Sequence, residues 1–101
     1  MMKAIKHLEK NINCEYDDAK KYIKLALEAK DLGDTDLAKM YYELAEGEIK
    51  DAERLHDMAV KMIKAIPEDK KPPKGMLEMY NLLHELDMEK AKEVEILMDM
   101  Y

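Results

Sequence analysis

From Lys3 to Leu32, and again from Thr35 to Ile66, apolar side chains recur every three or four residues, and only a short glycine-led break separates the two runs. That spacing decides the fold class. A strand buries alternate residues, whereas an α-helix turns about 100° per residue and gathers positions three and four apart on one face. In the first run those positions are Ile5, Leu8, Ile12, Ala19, Tyr22, Ile23, Ala26 and Leu27; in the second, Leu37, Met40, Tyr41, Leu44, Ala45, Leu55, Ala59, Met62, Ile63 and Ile66. Gly33 is placed to end the first helix in the left-handed conformation, Asp34 or Thr35 to cap the second, and Asp36 to favour its first turn. Together they read as a tight helical hairpin.

Pro67 stops the second helix, and P-E-D-K-K-P-P-K from Pro67 to Lys74 is a polar connector in which Pro73 suits the first position of a third helix. Leu77, Tyr80, His84, Met88, Ala91, Val94, Met98 and Tyr101 mark the inner stripe of that helix. The expected helices are about 3–32, 35–66 and 73–100. Short connections force antiparallel neighbours, so the expected fold is all-α: an up-down-up three-helix bundle, a helical hairpin plus a third long helix, in a single domain spanning 1–101. Composition agrees, with 48% hydrophobic and 40% charged residues and only three Gly and three Pro. Ten Met and six Tyr, with no Phe or Trp, imply an adaptable, thioether-rich core.

Several function classes are disfavoured. A net charge of −6, with Arg54 as the only arginine, is the wrong balance for nucleic acid, which favours a basic face and guanidinium forks. A single cysteine, Cys14, forms no intrachain disulfide and builds no thiolate zinc site, so a reducing cytoplasm is the expected setting. No apolar run approaches the roughly 20 residues that span a bilayer, and Met1 to Ile12 is too charged for a signal peptide. Thr35 is the only serine-type hydroxyl and no glycine-rich phosphate loop exists, which leaves hydrolase and transferase chemistry without support.

Chemistry concentrates instead at two acids. Glu15 shares a narrow face with Leu8, Ala19, Tyr22 and Ala26, and Glu48 shares one with Tyr41, Leu44, Ala52 and Leu55. A carboxylate taken from water must find a hydrogen bond, keep a proton or bind a cation. Counting helical rise from each turn sets Glu15 level with Asp51, Asp18 with Glu48, and Glu48 within a turn of Glu95, so Glu15, Glu48 and Glu95 are expected in one layer with Asp51 at its edge. Clustered carboxylates suit Mn²⁺ or Fe²⁺, and imidazole would draw a site toward iron or zinc. His56 and His84 are expected level with each other in a separate layer, roughly 12 Å from Glu48 along the axis. An ordinary alternative for the acids is hydrogen bonding to Tyr22, Tyr41 or a lysine, and for the histidines a packing role. Cys14 points about 100° away from Glu15 and reads as a semi-buried, inert thiol.

The stretch G-D-T-D-L-A-K-M-Y-Y-E-L-A-E-G-E-I-K-D-A-E-R-L-H-D-M, from Gly33 to Met58, resembles the second helix of rubrerythrin-like members of the ferritin-like superfamily. E-Y-D-D-A-K-K-Y, from Glu15 to Tyr22, resembles the E-x-x-x-A-x-x-Y pattern of their first helix. The resemblance covers about half the chain and implies a di-metal centre in which Glu15 and Glu48 are ligands. Asp51 stands where that motif has its histidine. Glu53-x-x-His56 also spells E-x-x-H, but Glu53 lies about 140° from Glu48. Ferritin-like chains bring two further ligand helices, whereas this one has a single third helix. The resemblance thus implies either a half-site completed by dimerisation, as in encapsulated ferritins, or a decayed site. As a whole the chain also resembles small ferritin-like proteins of Firmicutes prophages, with P-P-K-G-M ahead of Y-N-L-L-H-E-L and a terminal M-Y.

The functional expectation is a small, ferritin-like helical protein that binds iron or manganese, with zinc as an option, through Glu15 and Glu48, helped by Asp51, Glu95, His56 or His84. Ferroxidase activity requires a complete two-metal site and is not the leading expectation. The competing expectation is a non-catalytic helical interaction module. The expected partners are a second copy or another protein, with no nucleic acid and no membrane.

Overall fold

The computed structural model describes residues 2–101 as three long helices, α1 (Met2–Asp31), α2 (Thr35–Lys64) and α3 (Lys74–Asp99), with a 3₁₀ turn at Glu68–Lys70. They form an all-α, up-down-up bundle shaped as a rod of 58 × 17 × 16 Å. The first hairpin closes through backbone chemistry written in its two turn residues. Gly33 takes φ +82°, the amide of Gly33 donates to the Lys30 carbonyl, and that of Asp34 donates to the Ala29 carbonyl. This is the Schellman pattern, and it satisfies carbonyls that the end of α1 would otherwise leave open. One residue on, an Asp34 carboxylate oxygen accepts from the Leu37 amide at 3.1 Å and caps α2.

Packing between α1 and α2 follows a seven-residue rhythm. On α1 the fully buried residues include Ile5, Ile12, Ala19 and Ala26; on α2 they are Ala38, Ala45, Ala52 and Ala59. A repeat of seven keeps one seam facing its partner along two antiparallel helices, and alanine lets the backbones come close. The hairpin is the larger interface of the molecule.

Helix α3 packs chiefly on α1, with narrower contact to α2. Its inward positions match the expected stripe: Val94 is buried, while Tyr80, His84, Ala91 and Met98 are half-buried. The ties to α1 are polar. Lys90 Nζ donates to Asn13 and, at 2.9 Å, to Asp17, and Lys20 pairs with Glu93 at 2.6 Å. The ties to α2 are rings, with Tyr42 against Tyr101 at 4.4 Å and His56 against His84 at 4.8 Å between centroids. Every boundary but the start of α2 differs from expectation by a residue or two; α2 ends at Lys64, and Pro73 precedes the third helix as its cap residue. Pro73 has φ −53° and ψ 149°, and its carbonyl accepts from the amides of Met76 and Leu77, so it starts the turn without belonging to it.

Candidate metal centre

Three residues beyond the seam positions lies a second row on each helix. On α1 it reads Leu8, Glu15, Tyr22; on α2 it reads Tyr41, Glu48, Leu55, Met62, all of them half-buried. Glu15 and Glu48 therefore occupy sites that their neighbours fill with apolar or aromatic side chains. The layer nearer the turn is Tyr22 stacked on Tyr41, with centroids 6.3 Å apart. On the other side, Leu8 and Leu55 line an open cleft together with Asn11, Glu15, Asp51, Arg54 and Met58.

In this layer Glu15, Glu48 and Asp51 each offer a carboxylate oxygen, and the three oxygens lie within 4.8 Å of one another. Glu15 and Glu48 are half-buried and Asp51 is exposed. A hydrogen bond to Glu15, followed by burial and by the charges of Glu15, Asp18 and Asp51, pushes the Glu48 carboxyl up to about 7. The second carboxylate oxygen of Glu15, Oε2, is buried with no hydrogen-bond partner. Arg54 lines the cleft, yet no ion pair between it and these acids occurs among the described residues. An acid pair sharing a proton beside an orphaned oxygen can trade that proton for a cation. Oxygen ligands of one divalent ion, bound at about 2.1–2.5 Å, stand roughly 3–4 Å apart, so small side-chain rotations bring this set into range.

The other expected ligands lie elsewhere. Glu95 is exposed and takes no part in the carboxylate group. Counting rise gave its height but not its direction, and it sits about 100° round α3 from the buried Val94. His56 and His84 stack on each other, across α2 and α3, in the separate layer expected for them. Helix α3 reaches α1 through Asn13, Asp17 and Lys20 and α2 through Tyr42 and His56. Those residues lie well over 100° round their helices from Glu15 and Asp51. The carboxylate face is thus the open side of the hairpin. Cys14 is exposed, not semi-buried, because it falls beyond both rows of α1.

A second acid pair was not foreseen. Asp87 on α3 is only 5% exposed, and it hydrogen-bonds the carboxyl of Glu9 on α1. Burial, then that hydrogen bond and the Asp87 charge, push Glu9 up to about 7. The sequence carried a signal for both. Glu9, Tyr16 and Ile23 are spaced by seven on α1, as are Asp87 and Val94 on α3, so each acid lies on a buried row.

No helix among the described residues is long and apolar enough to cross a membrane. Compared with protein-family models, with curated proteins and with solved structures, the chain matches none.

Proposed function

We propose that this chain is a divalent-metal-binding helical protein, with Glu15, Glu48 and Asp51 as the ligands of an all-oxygen site. The observation that carries the reading is the convergence of three carboxylates, one of them with a buried, unpartnered oxygen, from two rigid helices. An oxygen-only donor set favours Fe²⁺ or Mn²⁺ over zinc. The ferritin-like resemblance of the first two helices supports the same pair of glutamates. One hairpin supplies too few ligands for a two-metal centre, so iron oxidation enters only if a second copy stacks on the open face and brings its own set. Partly exposed Leu37, Met40 and Leu44 flank that face and suit such a partner. A reducing cytoplasm completes the reading. Titration of apo-protein with Mn²⁺ and Fe²⁺, repeated on Glu48→Ala, tests it; the expected result is at least a tenfold loss of affinity, and equal affinity and stoichiometry in both proteins would remove Glu48 from the site.

The apolar surface of α3 favours a second reading, a non-catalytic interaction module. Met79 is 62% exposed, and Leu82, Leu83 and Leu86 are exposed along the same helix. Light scattering separates the two readings. A monomer whose melting is indifferent to every divalent ion supports the module, whereas dimerisation driven by metal supports the site.

A further inference from the structure

On the side of the bundle away from the carboxylate face, α1 and α3 border a groove that changes character along its length. Lys6 and Lys10, on its α1 wall, lie about 180° and 140° round that helix from Glu15. Nearer the first hairpin turn, charges bridge the groove: Lys90 reaches Asp17 at 2.9 Å and Glu93 reaches Lys20 at 2.6 Å. Toward the start of α1 the two walls have no such match. There Lys6 and Lys10 face Met76, Met79, Leu83 and Leu86 of α3, exposed apolar side chains three or four residues apart that cannot pair with an ammonium group. Between these walls lies a cavity of about 730 Å³, open to solvent along one side.

The charges around this cavity favour an anion. Lys90 and Glu93 are already paired, and on the floor Glu9 and Asp87 hydrogen-bond each other, Glu9 keeping its proton up to about 7. Glu89 lies about 160° round α3 from Asp87, at the outer rim. Lys6 and Lys10 remain, one turn apart on one wall, and neither has an ion pair among the described residues. Like charges at that spacing repel, and an anion between them relieves the repulsion. Size narrows the occupant further. The apolar wall from Met76 to Leu86 runs about 15 Å, the extended length of an alkyl chain of about twelve carbons. Small ligands occupy cavities of about 300–1,000 Å³, whereas a helix of the same length, about 10–12 Å across, fills more than about 1,000 Å³ and would stand largely outside. We propose that this groove binds a single-chain anionic amphiphile, a long-chain carboxylate, with its alkyl chain along Met76, Met79, Leu83 and Leu86 and its head group between the ammonium groups of Lys6 and Lys10. The stems of those lysines extend the apolar lining while their charged ends hold the head at the solvent edge.

Dodecanoate, held below its micellar concentration, is the probe, read by calorimetry and by the methionine methyl signals in nuclear magnetic resonance. A chelator in the buffer keeps the test separate from Mn²⁺ binding at the carboxylate face. One equivalent is expected to bind and to shift the Met76 and Met79 methyl signals while that of Met40, on α2, stays in place. Dodecyltrimethylammonium, with the same chain and the opposite charge, is expected to bind at least tenfold more weakly, as is butanoate, which keeps the head and lacks the chain. Lys6→Gln/Lys10→Gln, changed only at exposed positions, is expected to lose at least tenfold in affinity for dodecanoate, and Ile96→Gln to lose none. The proposal is overturned by Met76 and Met79 signals that do not move, by equal affinity for the anionic and cationic chains, or by a double variant that binds as tightly as wild type. It also falls if the ligand-free chain is a dimer through Met76 and Met79 that takes up no dodecanoate, which would give the groove to a second copy. The wild-type spectrum decides the matter even if a variant folds poorly.

Discussion

Among the described residues, two pairs of acids in contact are built from the same chemistry and differ in what surrounds them. Glu15 and Glu48 face each other across α1 and α2 on the side that α3 leaves uncovered, with Asp51 exposed at their edge. Glu9 and Asp87 join α1 to α3, and Asp87 is nearly sealed. One carboxyl in each pair is raised to about 7, but the leading cause is a hydrogen bond for Glu48 and burial for Glu9. That ordering matters. A proton held mainly by a neighbouring carboxylate, in reach of solvent, is exchangeable for an ion, whereas one held mainly by burial is a fixed part of the packing.

The largest test of the contrast is structural. Ala52 is fully buried against Ile12 and Tyr16, on the seam between the two acid pairs. Ala52→Leu forces α1 and α2 apart and should cost about 1–3 kcal/mol. In a chain of this length each kcal/mol lowers the melting temperature by roughly 4–8 °C. Met79→Ala, at an exposed position of α3, should change stability by less than about 0.5 kcal/mol. Thermal melts of both variants, with Mn²⁺ titrations, check the prediction. Loss of stability without loss of Mn²⁺ affinity in Ala52→Leu would show that the open pair does not depend on the close approach of the two helices.

Proton linkage sharpens the contrast at lower cost. Glu9 and Glu48 both titrate near 7 in the folded chain, against 4.5 for the free side chain, so between those values the folded state holds more protons than the unfolded one. The stability they contribute is full below 4.5 and lost as pH rises through about 7. Apo-protein should therefore melt lower at about pH 8 than at about pH 5 from these two groups, and Glu9→Gln and Glu48→Gln should each flatten part of the slope. Mn²⁺ separates them. Metal displaces the Glu48 proton and binds more tightly as pH rises, whereas the Glu9 share of the slope persists in saturating Mn²⁺. A slope abolished by Mn²⁺ alone would mean that the closed pair exchanges its proton too.

Much of this was legible in the sequence, for a definite reason. Both rows of the hairpin repeat at helical intervals, so Glu15 and Glu48 stand out as acids within apolar series, and Gly33 and Asp34 announce the turn. Helix α3 gives a weaker direction. Leu82, Leu83, Leu86 and Ile96 are apolar but exposed, while Asp87 is acidic but buried, so its stripe shows which residues turn inward without fixing which side of the hairpin it covers. Helical rise sets the height of Glu95 and the histidines, and only packing sets their azimuth. Glu9 and Asp87 each stand seven residues from a buried position, Tyr16 and Val94, which marks both as inward, but that the two acids meet is settled only by the docking of α3.

The smallest expected effect concerns what holds α3 in place. Lys90 bonds Asn13 and Asp17 of α1 at a partly exposed position. Exposed ion pairs contribute little, because solvent screens the charges and ordering a long side chain costs entropy. Lys90→Met keeps the apolar stem and removes the ammonium, so it should cost no more than about 1 kcal/mol. Asp87→Ala should cost more, since it empties a buried position and strips the half-buried Glu9 carboxyl of its partner. Hydrogen exchange along α3 reads the difference: amides around Asp87 and Val94 should lose more protection in Asp87→Ala than in Lys90→Met. The reverse order would place the attachment of α3 in its surface ions and make the closed acid pair incidental to it.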